Sequence, residues 1–309
     1  MNNTLYENEY FERIDCPVCG SNKLKIRNSV NFSELKQKKS MELSSIGVTA
    51  ATKITVDVCD ECEFVFVNPR IKSEYQHLLY NEHKTINPEK VTIRNGVLPA
   101  DMRRRRVSAA LSVLQLVPEL NNNEAPVVFD YGCGFGHALT LADSMGMNTY
   151  GVDLDESRVK FCGENGLKVT SVGDFHNKYG DIKADAIFLL STLEHIVNLN
   201  EVFEFIESLS KNGTVLVLDG FTPKTIDVEQ KAKKYVDAHF IEHINFFKIG
   251  TLDRMMKRYS YQPMKRNIAK QITSYKDIVK LAGSYVMSNS FNGSLLNHRK
   301  FFTRVYTYS

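Results

Sequence analysis

Between residues 125 and 219 the chain alternates short apolar runs with amphipathic stretches. Ala125–Asp130 (APVVFD), Asn148–Asp153, Leu167–Val172, Ala184–Leu190 and Gly213–Asp219 are strand-length and predominantly apolar. They read as buried strands. His137–Met145, Glu156–Glu164 and Leu199–Leu209 lie between them and carry apolar residues near helical spacing. Strands and helices in this alternation predict an α/β fold with a doubly wound, mostly parallel sheet. Ligands of such sheets bind outside the carboxyl ends of the strands.

Upstream, Lys23–Val30, Ile54–Val58 and Phe64–Val67 predict a small β domain, with Glu34–Ser45 (ELKQKKSMELSS) as a polar insertion. Asn68-Pro69 is a turn signal, which places a domain boundary near residue 70. Ser73 to about Leu120 reads as helical, with Met102, Val107, Ala110, Leu111 and Leu114 near helical spacing. The expected organisation is therefore 1–70, a helical linker or cap over 71–120, and a main domain over 121–309. Past the fifth strand, Thr251–Tyr259 predicts a helix and Lys300–Tyr308 (KFFTRVYTY) a closing strand. Thr273–Asn297 reads as a helix followed by a Ser/Asn-rich loop.

A length of 309 residues fits two domains better than one. With 43% hydrophobic and 24% charged residues, the composition excludes a disordered or fibrous chain. The formal charge of +3 is too slight to imply a nucleic-acid or anionic-membrane partner. No run approaches the ~18 apolar residues of a membrane span. The polar N-terminus MNNTLYENEYFERID lacks the pattern of a signal peptide. The expectation is a cytoplasmic protein with reduced thiols.

Four of the six cysteines form two C-x-x-C pairs, Cys16/Cys19 and Cys59/Cys62. Two such turns complete a tetrahedral sulfur site, so a structural Zn2+ is expected there. A redox pair or unrelated thiols are the alternatives, and the spacer of 39 residues exceeds that of a compact ribbon. Cys133 and Cys162 read as plain buried thiols. Arg103–Arg106 point in different directions on a helix. They form either a solvated face or one or two contacts to an anionic group.

Chemistry gathers at the predicted strand ends. Gly132-Cys133-Gly134-Phe135-Gly136 follows the first strand, and the helical-looking stretch begins at His137. Its spacing departs from the dinucleotide pattern G-x-G-x-x-G, and Asp130 precedes it. That charge suits a ligand carrying an ammonium group. Asp153 falls about 20 residues later, where an acid accepts both ribose hydroxyls. Gly173-Asp174-Phe175 offers an acid and an aromatic for adenine, by hydrogen bond and by stacking.

Together, DYGCGFGH (Asp130–His137), GVDLD (Gly151–Asp155), GDF (Gly173–Phe175) and LLSTLEHI (Leu190–Ile196) resemble the class I S-adenosylmethionine-dependent methyltransferases. The resemblance covers about Pro126–Asp219. It implies a seven-stranded Rossmann-like sheet and S-adenosylmethionine as cofactor. Gly132, Cys133, Gly134 and Gly136 would lie against its methionine part, with Asp130 near the amino group. Asp153 would take the ribose hydroxyls, with Leu154 beside it, and Asp174 and Phe175 would be at the adenine. Leu190, Ser191 and Thr192 would line the methyl-donor side. Each acid has a plainer reading as a helix N-cap or surface charge, Asp155 above all. A nicotinamide dehydrogenase and an inactive fold relative are the alternatives.

CPVCGS near the start, a second C-x-x-C followed by FVFVNPR, and then this core resemble a bacterial methyltransferase group with an N-terminal zinc-ribbon-like segment. The group is linked to sugar and cell-surface polysaccharide biosynthesis. Glu242-His243-Ile244-Asn245-Phe246-Phe247 matches an E-H-x-x-[YF] motif of related deoxysugar C-methyltransferases. Carried over, His243 is the base, Glu242 its neighbour, and His195 faces the same cavity. The short C-terminal region and Phe240 depart from that pattern, which favours O- over C-methylation. The expected acceptor is a sugar hydroxyl in a nucleotide-sugar or surface glycan. The alternatives are a nucleic acid, or C- or N-methylation of a deoxysugar or other small molecule. Against a nucleic acid, the [DNS]-P-P-[YFW] tetrad is absent where Ser191-Thr192-Leu193-Glu194 stands. For either histidine a structural packing role is the plainer alternative.

Overall fold

The structure, a computed structural model, describes residues 9–34, 43–81, 120, 123–219, 242–263 and 303–309. The 102–116 helix, Arg103–Arg106, Phe240 and the 273–297 stretch lie outside the described residues. Along the chain the strands are β1 (Phe11–Glu12), β2 (Leu24–Asn31), β3 (Lys53–Cys59), β4 (Val65–Val67), β5 (Arg70–Ile71), β6 (Val127–Tyr131), β7 (Asn148–Val152), β8 (Val169–Thr170), β9 (Ala186–Leu190), β10 (Val215–Asp219), β11 (Asn245–Phe246), β12 (Tyr261–Pro263) and β13 (Thr303–Tyr308). The α-helices are α1 (Gln76–Asn81), α2 (His137–Ser144), α3 (Glu156–Glu164), α4 (Phe175–Tyr179), α5 (Leu199–Leu209) and α6 (Ile249–Arg258).

The chain divides into two compact units that are not contiguous in sequence. One draws on Met1–Ile86, Ser191–Glu207 and Gly220–Tyr259, the other on Asn87–Leu190, Ser208–Asp219 and Ser260–Ser309.

The second unit is built on a seven-stranded sheet in the order β12-β13-β10-β9-β6-β7-β8. The five strands from β10 to β8 are parallel, and β13 runs antiparallel to both β10 and β12. This is the Rossmann-like sheet expected from the strand–helix alternation. β9 (AIFLL) and β10 (VLVLD) are apolar along nearly their whole length because a parallel sheet is covered on both faces. On one face Val128, Phe188 and Val217 pack with Ala138 and Ala142 of α2. Elsewhere in the unit Phe129 meets Phe175 edge-to-face, with ring centroids 5.1 Å apart, and Phe175 also touches Tyr150 and Tyr179. The order reverses at β6, which pairs with β7 on one side and β9 on the other. Such a switch point opens a crevice at the strand ends. β8 is shorter than predicted. Gly166, at φ 79°, and the Leu167 N–H bonded to the Cys162 carbonyl belong to the end of α3 and not to the strand.

The first unit carries an antiparallel sheet in the order β11-β4-β3-β2 and a β1–β5 pair. Ile54, Val56, Val65 and Val67 form its core with Phe246. Thus the strand that follows Glu242-His243 joins the sheet of the cysteine segment, pairing Asn245 with Phe66. The middle of the polar insertion lies outside the described residues, and Leu43 and Ile46 at its far end are buried.

Phe175 is fully buried. Phe175→Ala should lower the unfolding free energy by about 3–5 kcal/mol, the usual cost of deleting a core aromatic. Urea denaturation checks this, and a loss below about 1 kcal/mol contradicts the packing described.

Candidate functional site

At the carboxyl end of β6 the buried Asp130 has no hydrogen-bond partner for its Oδ1 among the described residues. Burial, reinforced by the charge of Asp153, holds the Asp130 carboxyl well above the ordinary carboxylate range. The loop that follows places Gly132, Gly134 and Gly136 at φ 73°, 58° and 70°, a region other residues enter only at a cost. A Cβ at Gly134 would meet none of the described residues within 4 Å. At Gly136 a Cβ would lie 2.3 Å from Leu167 Cδ1, so that glycine serves close packing.

Asp153, just past β7, has both oxygens engaged by the backbone. Gly134 N–H donates to Oδ2 at 2.8 Å and Asp155 N–H to Oδ1 at 2.9 Å. Each oxygen retains acceptor capacity for a ligand hydroxyl. Asp155 caps α3, accepting from the N–H groups of Ser157 and Arg158, the plainer of its two sequence readings. Leu154 stands between these acids with its side chain 52% exposed. Arg158, unremarked in the sequence, lies 3.6 Å from Asp153 and 3.2 Å from Asp155. Cys133 and Cys162 are buried, and the Cys133 thiol is held up first by Cys162 and then by burial. Two acids, an exposed apolar side chain and a glycine turn fit a nucleoside carrying a cationic group.

One expectation needs correction. The Phe175 ring packs on Phe129 inside the unit, so it does not stack on a ligand. Asp174 is exposed and accepts from the Ser171 hydroxyl at 2.7 Å, which leaves the acid as the polar group at that strand end. Leu190 ends β9 half-buried.

In the first unit, the half-buried Ser191, at φ 55°, and Thr192 precede a tight turn, Leu193–His195. The His195 and His243 rings stand 4.5 Å apart at 76°. Glu194 joins them: its carboxylate and one nitrogen of each ring lie within 4.8 Å of one another. Glu242 contributes through its main chain, its carbonyl lying 2.9 Å from His195 Nδ1. A carbonyl only accepts, so Nδ1 carries the hydrogen and Nε2 is the basic nitrogen. The sequence holds three Glu-His pairs, Glu82-His83, Glu194-His195 and Glu242-His243, so repetition alone did not mark out Glu194. Two imidazoles and a carboxylate can move a proton, and the same donor set can hold a divalent cation.

The four paired cysteines also converge. Cys16 and Cys62 sulfurs are 3.4 Å apart, Cys19 and Cys59 sulfurs 3.5 Å, and all four lie within 4.8 Å of one another. Each C-x-x-C turn ends in a left-handed residue, Gly20 at φ 75° and Glu63 at φ 59°. Its first carbonyl accepts from that residue's N–H, at 2.8 Å for Cys16 and 2.9 Å for Cys59. The Cys16 thiol draws Cys62 down to about 5, while Cys16 itself is held up. The spacing suits a tetrahedral ion with sulfur at about 2.3 Å.

Asp130 gives a pH test of stability. Its folded-state pKa is raised, so the folded chain keeps a proton that the unfolded chain loses above about pH 4. Stability from this group falls as pH rises from there through the folded value. Asp130→Asn should therefore flatten that slope and raise the unfolding temperature of the ligand-free protein at pH 7. Thermal unfolding from pH 5 to pH 8 checks it.

The profile of a methyltransferase-domain family matches residues 102–265, more than half of the chain. No curated protein matches. Among solved structures, the plantazolicin methyltransferase BamL, in complex with a triazolic desmethyl analogue and S-adenosylhomocysteine, is 11% identical. That match covers 68% of this chain and 87% of the other, with a TM-score of 0.48. The protein PH0226 from Pyrococcus horikoshii OT3 is 14% identical over 77% of this chain and 100% of its own, with a TM-score of 0.46. Magnesium protoporphyrin IX methyltransferase from Synechocystis PCC 6803 with bound S-adenosylmethionine is also 14% identical, over 76% and 97%, with a TM-score of 0.44. The family profile and the glycine-loop crevice at the sheet's switch point lead to one conclusion: the chain belongs to the methyltransferase-domain family and is an S-adenosylmethionine-dependent methyltransferase.

Proposed function

We propose that the enzyme methylates a sugar hydroxyl, in a nucleotide-sugar or a surface glycan, with histidine-assisted deprotonation. The observation that carries this reading is the Glu194–His195–His243 cluster. A hydroxyl is a poor nucleophile until its proton is removed, and a positioned base contributes about 10²–10⁴-fold. An amine needs no such help once neutral. The sugar assignment draws its support from the order of motifs: C-P-V-C-G-S, a second C-x-x-C followed by FVFVNPR, the core, then Glu242-His243-Ile244-Asn245-Phe246.

The cofactor, when bound, supplies a methyl group on a sulfonium sulfur. Asp130 would pair with its ammonium group, which would give Oδ1 a partner. Asp153 would accept the ribose hydroxyls, and Leu154 would cover the adenine beside Asp174. His243 would take the acceptor hydroxyl's proton as that oxygen gains the methyl group, which the cofactor would give up as a neutral thioether. His195, with Nδ1 held by the Glu242 carbonyl, keeps its basic Nε2 for the same task, and Glu194 stabilises the imidazolium produced. The proton then leaves to water. Cys16, Cys19, Cys59 and Cys62 would hold a structural Zn2+, a four-sulfur set that leaves no open position for substrate.

Transfer of labelled methyl to a panel of nucleotide-sugars and glycans tests the acceptor. Product on sugar oxygen supports the reading, and product confined to amines or nucleic acid removes it. His243→Ala should cut turnover by about 10²–10⁴ while S-adenosylhomocysteine affinity stays within about twofold. Unchanged turnover eliminates His243 as the base. Elemental analysis should find zinc in the wild type and none after Cys62→Ser, with a lower unfolding temperature for the variant.

A further inference from the structure

Residues 193–197, which carry Glu194 and His195, form a buried turn whose five successive carbonyls each accept a hydrogen bond. The Asn245 carboxamide donates through Nδ2 to Leu193 at 3.1 Å and to Ile196 at 2.7 Å. The Ile244 N–H donates to Glu194 at 2.8 Å. Gln76 Nε2 donates to His195 at 2.9 Å, and Arg70 Nη1 to Val197 at 3.2 Å. Asn245 Oδ1 in turn accepts from Arg70 Nη2 at 3.2 Å. Because a guanidinium only donates, this contact fixes which way round the carboxamide sits. Arg70 and Asn245 are each 1% exposed. The backbone of Asn245 lies in β11, two residues after His243.

We propose that Asn245, oriented by Arg70, is the positioning residue of the histidine pair. One carboxamide ties the turn bearing His195 to the strand bearing His243, and so fixes the His195 ring against the Glu242 carbonyl. The inference rests on the reading that these histidines assist deprotonation. It concerns geometry, however, and can be read without an acceptor. The donors to these five carbonyls all come from distant parts of the chain, Arg70, Gln76, Ile244 and Asn245.

The test is Asn245→Asp, with Gln76→Met as the second variant. Aspartate keeps the shape and the oxygen facing Arg70 but loses both N–H donors. Nitrogen-15 NMR of the imidazoles, with His195 assigned from His195→Gln, reports the tautomer. Wild type should show His195 with the hydrogen on Nδ1 alone. Asn245→Asp should show a mixture of tautomers and a loss of turnover of ten- to a hundredfold, with S-adenosylhomocysteine affinity within twofold. Gln76→Met should move the same signals less. A purely structural role would lower the unfolding temperature and leave the tautomer unmixed. An unmixed His195 tautomer in folded Asn245→Asp overturns the proposal. If that variant does not fold, an unmixed tautomer in Gln76→Met overturns it. A mixed tautomer together with full activity of His243→Ala would keep the positioning role and remove the base.

Discussion

A parallel sheet covered on both faces has room for polar chemistry only where its strands end. β9 is apolar throughout and β10 up to its terminal Asp219, so charges gather at Asp130, Asp153, Asp174 and Asp219, all at or just beyond carboxyl ends. There the backbone decides what each acid can do. Asp153 receives two backbone N–H groups, one on each oxygen. Asp130 is buried beside a second acid, an arrangement that costs the ligand-free protein stability and rewards a cation. The loop between them stays low because its glycines accept left-handed conformations.

The first unit solves a different problem by one repeated device. Turns without regular secondary structure leave carbonyls unpaired, and buried carbonyls need donors. The turn at 193–197 obtains them from Arg70, Gln76 and Asn245. The cysteine turns obtain them from α6: Thr251 donates to the Cys62 carbonyl at 3.2 Å, Arg254 to Glu61 at 3.3 Å, and Arg258 to Val18. Arg70 shows the cost of the device. Burial brings its guanidinium down to about 9, and three oxygens and the Phe66 ring stand in for water.

Much of this was legible in the sequence, for physical reasons. Strand alternation reported the sheet because apolar runs of that length have few other uses, and the glycine loop and two acids followed from their places at strand ends. The cysteine convergence followed from two C-x-x-C turns. What could not be read was which partners meet across long separations. Phe175 looked like a stacking ring, because nothing local shows that Phe129 lies against it. Glu194 went unremarked beside His195, since only the fold brings its carboxylate to both imidazoles. Asn245 stood only as an unassigned position of the E-H-x-x-[YF] motif, its donors being meaningful only beside a turn about 50 residues away.

The strand β11 closes the sheet of the cysteine segment from a position 175 residues beyond Arg70. Contacts of such separation are entropically slow to form. During synthesis the cysteine turns emerge long before α6 and β11 can reach them. The first unit therefore waits, incomplete, while almost the whole second sheet is made. Its thiols and its unpaired β4 edge are exposed for that interval, and early metal capture would shield the former but not the latter. The second sheet closes later still, when β13 enters between β10 and β12.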